Sequence, residues 1–88
     1  MAYRRFTVRQ IRGKASAERW EIEDGAESVA ISTSQIEAVT IALELARDHC
    51  SEQAESSEVL LVSDGTAVIV AQFVLENGVP ERVAVGTG

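Results

Sequence analysis

Residues 59 to 80, VLLVSDGTAVIVAQFVLENGVP, are apolar at nearly every position outside two turn-like breaks. A strand with one watery side alternates apolar and polar residues, and this stretch does not, so both of its faces need cover. The breaks are Asp64-Gly65 and Asn77-Gly78, and a third such pair, Asp24-Gly25, stands upstream. These dipeptides favour tight hairpins, because a two-residue type I′ turn needs positive φ at both central positions and Asn, Asp and Gly tolerate it. They predict three strands at about 58 to 63, 66 to 76 and 79 to 86. Under two-residue registers one face of this meander carries Leu60, Val62, Ala67, Ile69, Ala71, Phe73, Leu75 and Ala84. The other carries Val59, Leu61, Val68, Val70, Val74, Val83 and Val85, interrupted by Gln72, Glu76 and Glu81. Pro80 has no N–H to give a ladder, which puts the last strand at an edge or marks a break near its start.

Upstream the alternation is cleaner. A tight turn at Asp24-Gly25 sets Trp20 opposite Val29, with Trp20, Ile22, Val29 and Ile31 on a dry side and Glu21, Glu23, Ser28 and Ala30 on a wet one. YRRFTVRQI alternates likewise, Phe6 and Val8 against Arg5, Thr7 and Arg9, and reads as a further strand joined by the polar loop 13 to 17. Between the two meanders lies STSQIEAVTIALELARDHC, in which Ser34 and Glu37 have the spacing of a capping box, each side chain satisfying an orphan backbone donor. A helix follows at about 35 to 50. At 100° per residue Ile36, Val39, Leu43, Ala46 and Cys50 form one stripe, while Ile41 and Leu45, with Ala38, lie on nearly the opposite side. The segment 51 to 57 reads as an acidic loop.

The expected fold is therefore α+β, a single domain over residues 1 to 88 with two antiparallel β-meanders flanking one helix in the order β-β-β-α-β-β-β. Five apolar surfaces then want cover: one on the first meander, two on the second and two on the helix. The alanines beside Phe73 leave room for a helix to dock on the Leu60/Phe73 face, which makes the valine face the uncovered one. Leaving its aliphatics wet forfeits roughly 1.5–3 kcal/mol each. A second chain can cover it, through Val59, Leu61, Val68, Val70, Val74, Val83 and Val85 or through Ile41 and Leu45 on the helix. Val70→Glu should then break an association, and Ile69→Glu should strike the core. The alternative is that the wide helical arc acts as one surface and the first meander folds over the valines.

Eighty-eight residues bury only roughly 60–65% of the surface the unfolded chain exposes, so the core is small. With 45% hydrophobic and 25% charged residues the composition is that of a globular domain. The lone Cys50 excludes an internal disulfide and fits a reducing compartment. No apolar run approaches a membrane span and the first residues lack the apolar stretch of a signal peptide, so a cytoplasmic location is expected, with no membrane partner.

Charge is uneven. Residues 1 to 19 hold six cations against Glu18, a net +5, whereas the rest holds Arg47 and Arg82 against thirteen acids. Arg5 and Arg9 on the wet face, with Arg12 and Lys14 nearby, could meet phosphates. Overall acidity favours the plainer reading, in which these arginines pair across strands with Glu21 and Glu23. His49 and Cys50 are adjacent on a helix and point about 100° apart, so they do not form a thiol–imidazole pair. With no metal-ligand spacing and no phosphate-binding or glycine-rich fingerprint, neither enzyme activity nor a cofactor is expected.

SQIEAVTIALELAR resembles the centre of a small, uncharacterised bacterial domain family with a Trp-led hairpin, a helix opening Ser/Thr-Gln-x-Glu-Ala and a strand ending in Asp-Gly. Ser34, Gln35, Glu37, Ala38, Ala42, Glu44, Leu45, Ala46 and Arg47 carry the likeness, with Trp20 upstream and Asp64-Gly65 downstream. It spans roughly residues 6 to 66 and implies no activity. The leading functional expectation is a non-enzymatic interaction module, homodimeric through an apolar sheet or helix face, or bound to another protein. Nucleic-acid contact through the basic first strand is the second reading. A small acidic phage-type inhibitor, whose carboxylates fill a partner's nucleic-acid channel, is the third.

Overall fold

The computed structural model describes residues 3–11 and 19–83. In chain order the elements are β1 (Arg4–Ile11), β2 (Arg19–Asp24), β3 (Glu27–Ser32), α1 (Gln35–Gln53), β4 (Ser57–Ser63), β5 (Thr66–Glu76) and β6 (Val79–Val83). The α+β class, the element order and the single helix agree with the sequence reading. Its separate meanders do not, because they join edge to edge in one six-stranded mixed sheet of order β3-β2-β1-β4-β5-β6. The joint is a parallel pairing of β1 with β4, Phe6 opposite Val59 and Val8 opposite Leu61, and every other pairing is antiparallel. A parallel neighbour requires a crossover, and α1 supplies it on its way from β3 to β4. The helix lies over one face and touches all six strands.

The turn chemistry sets the hairpins. Asp64 and Gly65 (φ 51° and 77°) and Asn77 and Gly78 (φ 53° and 79°) have the paired positive φ of type I′ turns, and their closing pairs, Ser63/Thr66 and Glu76/Val79, are those expected. The first hairpin turns one residue later than expected, at Gly25 and Ala26, with Asp24 opposite Glu27. Only Gly25 has positive φ there, the pattern of a type II′ turn, which wants glycine at its first central position.

Two irregularities reassign the faces. Between Ile22 and Glu23 the β2/β3 register shifts, so Trp20 faces Ser32 and Ile22 faces Ala30, leaving Val29 and Ile31 exposed. Between Val59 and Leu60 the β4/β5 register shifts as well: Leu60 still faces Ile69, but Val59 faces Ala71, and Val70 is the extra residue. A bulge places two consecutive residues of one strand against one of its partner, and the face assignment changes across it. The helix-facing side therefore combines Val59, Leu61, Val70, Ala71, Phe73 and Leu75, drawn from both of the faces read from regular alternation. Of the Leu60/Phe73 face on which α1 is expected to dock, the same shift leaves Ala71, Phe73 and Leu75 under the helix and turns Leu60, Val62 and Ile69 away from it.

The helix packs through small residues. Ala38, Ala42, Ala46 and Cys50 are fully buried, Val39 and Leu43 pack on one flank and Ile41 and Leu45 on the other, and Ile36 is 80% exposed. The expected stripe through Ile36, Val39 and Leu43 is thus rotated. A row of small side chains lets the backbone come close to Phe6, Val8, Ile22 and Val59, and the larger flanking residues fill the wedges left by a twisted sheet. The wide apolar arc is one surface.

The cap is a relay. Ser34 Oγ accepts from the Glu37 N–H (3.3 Å), but the Glu37 carboxylate accepts from Ser32 Oγ (3.0 Å), which itself accepts from the Ser34 N–H (3.2 Å). The helix runs one turn further than expected and stops at Ala54, held in the left-handed region (φ 51°). At the same end Ser57 Oγ donates to the Ala46 carbonyl (2.6 Å), bonding β4 to the helix.

Two stability measurements check this packing. Ala42→Leu, which inserts a bulky group beneath the helix, should lower unfolding stability by about 1–3 kcal/mol in urea titrations. Ala54→Gly, which removes the penalty for a side chain at positive φ, should raise it by about 0.5–1 kcal/mol.

Candidate functional site: the open face of the sheet

Among the described residues no helix lies on the second face of the sheet. By register and alternation it presents Arg5, Thr7 and Arg9 of β1, Glu21 and Glu23 of β2 and Ile31 of β3. From the other half it presents Glu58, Leu60 and Val62 of β4, Ile69, Gln72 and Val74 of β5, and Glu81 and Val83 of β6. The two halves differ in character, polar over β1 and β2 and aliphatic over β4 to β6.

The polar half covers itself. Arg5 Nε donates to Glu58 across the parallel joint (2.6 Å), Gln72 donates to the other Glu58 oxygen (3.3 Å), and Arg5 also reaches the Tyr3 hydroxyl (2.8 Å), its guanidinium 5.7 Å from the Tyr3 ring centre. Arg9 Nε donates to Glu23 (3.3 Å), and at the end of the strand Arg4 forms a forked pair with Asp24. Arginine stems lie along apolar surface while their heads stay wet. Beneath them Thr7 and Glu58 are only 6% and 4% exposed although no helix covers this side. The hydrogen bond from Arg5 to Glu58 leads the causes that raise the Arg5 pKa, and that from Arg4 to Asp24 does the same for Arg4.

The aliphatic half is uncovered: Ile69 is 37% exposed and Val83 39%, beside half-buried Leu60, Val62 and Val74. The expected interface set is scattered. Val59 is fully buried beneath α1, Leu61 and Val70 pack against the same core, and Val68, opposite Leu61, is exposed on the helix side. Ile41 and Leu45 are half-buried flanks of the helix contact. Val74 and Val83 alone share the open face, and Val85 lies outside the described residues. Ile69, expected in the core, belongs to this face, and Leu60 and Val62 join it.

Of the four residues expected near phosphate, Arg5 and Arg9 are held by carboxylates, and Arg12 and Lys14 lie outside the described residues. Arg9 takes Glu23, as the cross-strand reading anticipated. Arg5 takes Glu58, a partner that local pattern could not name, because residues 53 apart meet only through the parallel joint. Glu58 could have been noticed as an acid opening an otherwise apolar strand.

His49 and Cys50 have separate surroundings. Cys50 is buried against the sheet and desolvation raises its thiol pKa, while His49 bonds Glu55 (2.6 Å) and packs edge-on against Phe6. Among the described residues no three His, Cys, Asp or Glu side chains gather to hold a metal, and no helix is long and apolar enough to cross a membrane. Compared with family models, curated proteins and solved structures, the chain matches none.

The thiol supplies a test. A thiol pKa raised by folding contributes stability that is complete below the unfolded value and is lost as pH rises through the folded one. Stability should therefore fall above about pH 8.5, the ordinary range of a free thiol, and Cys50→Ala should flatten that limb when urea midpoints of both proteins are compared at stepped pH. Ellman's reagent should label native Cys50 only at the rate of unfolding.

Proposed function

We propose that this protein is a non-enzymatic interaction module that pairs with a second copy of itself through the open face of the sheet. One observation carries the reading: among the described residues a single helix covers one face of six strands, and none covers the aliphatic half of the other face, Leu60, Val62, Ile69, Val74 and Val83. Sheets stack face to face at about 10 Å through such side chains. In a two-fold pairing each copy uses the same patch, so the aliphatic half of one meets that of the other and the Arg5/Glu58 and Arg9/Glu23 pairs form a polar rim. Six strands at about 4.8 Å spacing give a face whose area suits the roughly 800 Å² per partner of a standard interface. Of the valine set of the sequence reading, the proposed interface keeps Val74 and Val83.

Phosphate contact gains no support, because both described candidate guanidiniums already face carboxylates. The inhibitor reading rests on net acidity alone.

Light scattering should give a dimer at about 100 μM, a concentration at which even a micromolar dimer dominates. Ile69→Glu should yield a folded monomer. Val70→Glu should instead cost about 2–4 kcal/mol of stability by driving a carboxylate toward the core, the reverse of the expectation from regular alternation. A monomeric parent chain at that concentration would refute the pairing.

A further inference from the structure

On the helix side, α1 leaves a groove of about 290 Å³ between itself and the outer strands, lined by Leu43, Glu44, Arg47, Phe73, Pro80 and Arg82. Phe73 is its floor, only 6% exposed, and Leu43 and Pro80 are its apolar walls. The cations come from different elements. Arg47 projects from the helix flank that also carries Leu43, and Arg82 stands on β6 directly opposite Phe73.

These two differ from the arginines of β1. Arg4, Arg5 and Arg9 are each held by a carboxylate, whereas neither Arg47 nor Arg82 is held by one among the described residues. The Arg82 guanidinium reaches only the Val70 carbonyl, at 3.5 Å, and Glu44 shares the groove without bonding Arg47. Residues 20 to 88 contain thirteen acids and only these two cations. The acid-rich part of the chain thus brings both its cations to one groove with an aromatic floor and, among the described residues, leaves both without a carboxylate.

We propose that this groove binds a short acidic peptide segment of a protein partner, seating an apolar side chain on Phe73, Leu43 and Pro80 and pairing its carboxylates with Arg47 and Arg82. Guanidinium forks match carboxylates in geometry as well as charge, and an aromatic floor beside them suits a peptide that carries both kinds of group. A nucleic acid fits less well, because Glu44 stands in the groove and the chain carries a net charge of −6. The site lies on the face opposite the proposed dimer contact and does not depend on it.

The test is an amide NMR titration of the whole chain with a capped peptide, acetyl-Glu-Leu-Phe-Glu-Glu-amide. Its controls are the same peptide with Gln for every Glu, and a ten-nucleotide oligothymidylate. Saturable shifts are expected at Leu43, Glu44, Arg47, Phe73 and Arg82. Arg47→Gln and Arg82→Gln should each weaken binding about two- to five-fold, the scale of one partly exposed ion pair, and the Gln peptide, which lacks every carboxylate, should bind about five-fold or more weakly. The double variant should lose binding while its thermal unfolding stays as in the parent. The proposal is overturned by absence of saturable shifts at the groove, by equal affinity for the Gln peptide, or by tighter binding of the oligonucleotide at the same residues. Shifts confined to Leu60, Ile69 and Val83 would also overturn it, and a groove response in a monomeric chain would uphold it with the dimer refuted.

Discussion

The parallel pairing of β1 with β4 is the contact on which the rest of the molecule depends. It turns two hairpin meanders into one sheet, and parallel neighbours in sequence-distant segments need a crossover, which is where the helix belongs. Once α1 has crossed one face, the chain has no further described helix for the other. The buried alanines, the uncovered aliphatics of β4 to β6 and the ion pairs over β1 all follow from that economy of elements.

Parallel strands are usually covered on both faces. Here the second cover is made of side chains: Arg5 lies across the joint, fastened to Glu58, Arg9 reaches the other way to Glu23 on β2, and Thr7 between them is 6% exposed. The basic character of the first strand is thereby absorbed internally. A run of arginines that in isolation resembles a phosphate-binding strand acts, in this sheet, as an ionic lid. Arg47 and Arg82, separated in sequence and inconspicuous there, are the cations of the acid-rich part that no described carboxylate holds.

Much of the fold was legible because local chemistry dictated it. Asp64-Gly65 and Asn77-Gly78 announced their turns, Ser34 announced the helix start, and the alternation around Trp20 and Phe6 marked strands. What alternation could not show was where it would be interrupted. Bulges beside Ile22 and Val59 depend on how strands fit a twisted sheet against a helix, and each moves a neighbouring aliphatic to the other face. The helix was misread in a related way: hydrophobicity pointed to Ile36 and Leu43, whereas close approach to the sheet selected the alanines. Arg5 found Glu58 only because two remote strands run side by side. The site was therefore less legible than the fold, being set by non-local register.

The joint also has a kinetic meaning. The hairpins close over two-residue turns and can form within about 1–10 μs, before the rest of the chain is organised. The pairing of Arg4 with Ser57 brings together segments more than fifty residues apart, and such long-range strand pairing demands loop closure before any compensating contact is made. Until it forms, each meander exposes a free inner edge, β1 on one side and β4 on the other, both able to pair with another chain's strand. Folding of this protein is thus a race between the helix crossing over its own sheet and a neighbouring molecule reaching the same edge first.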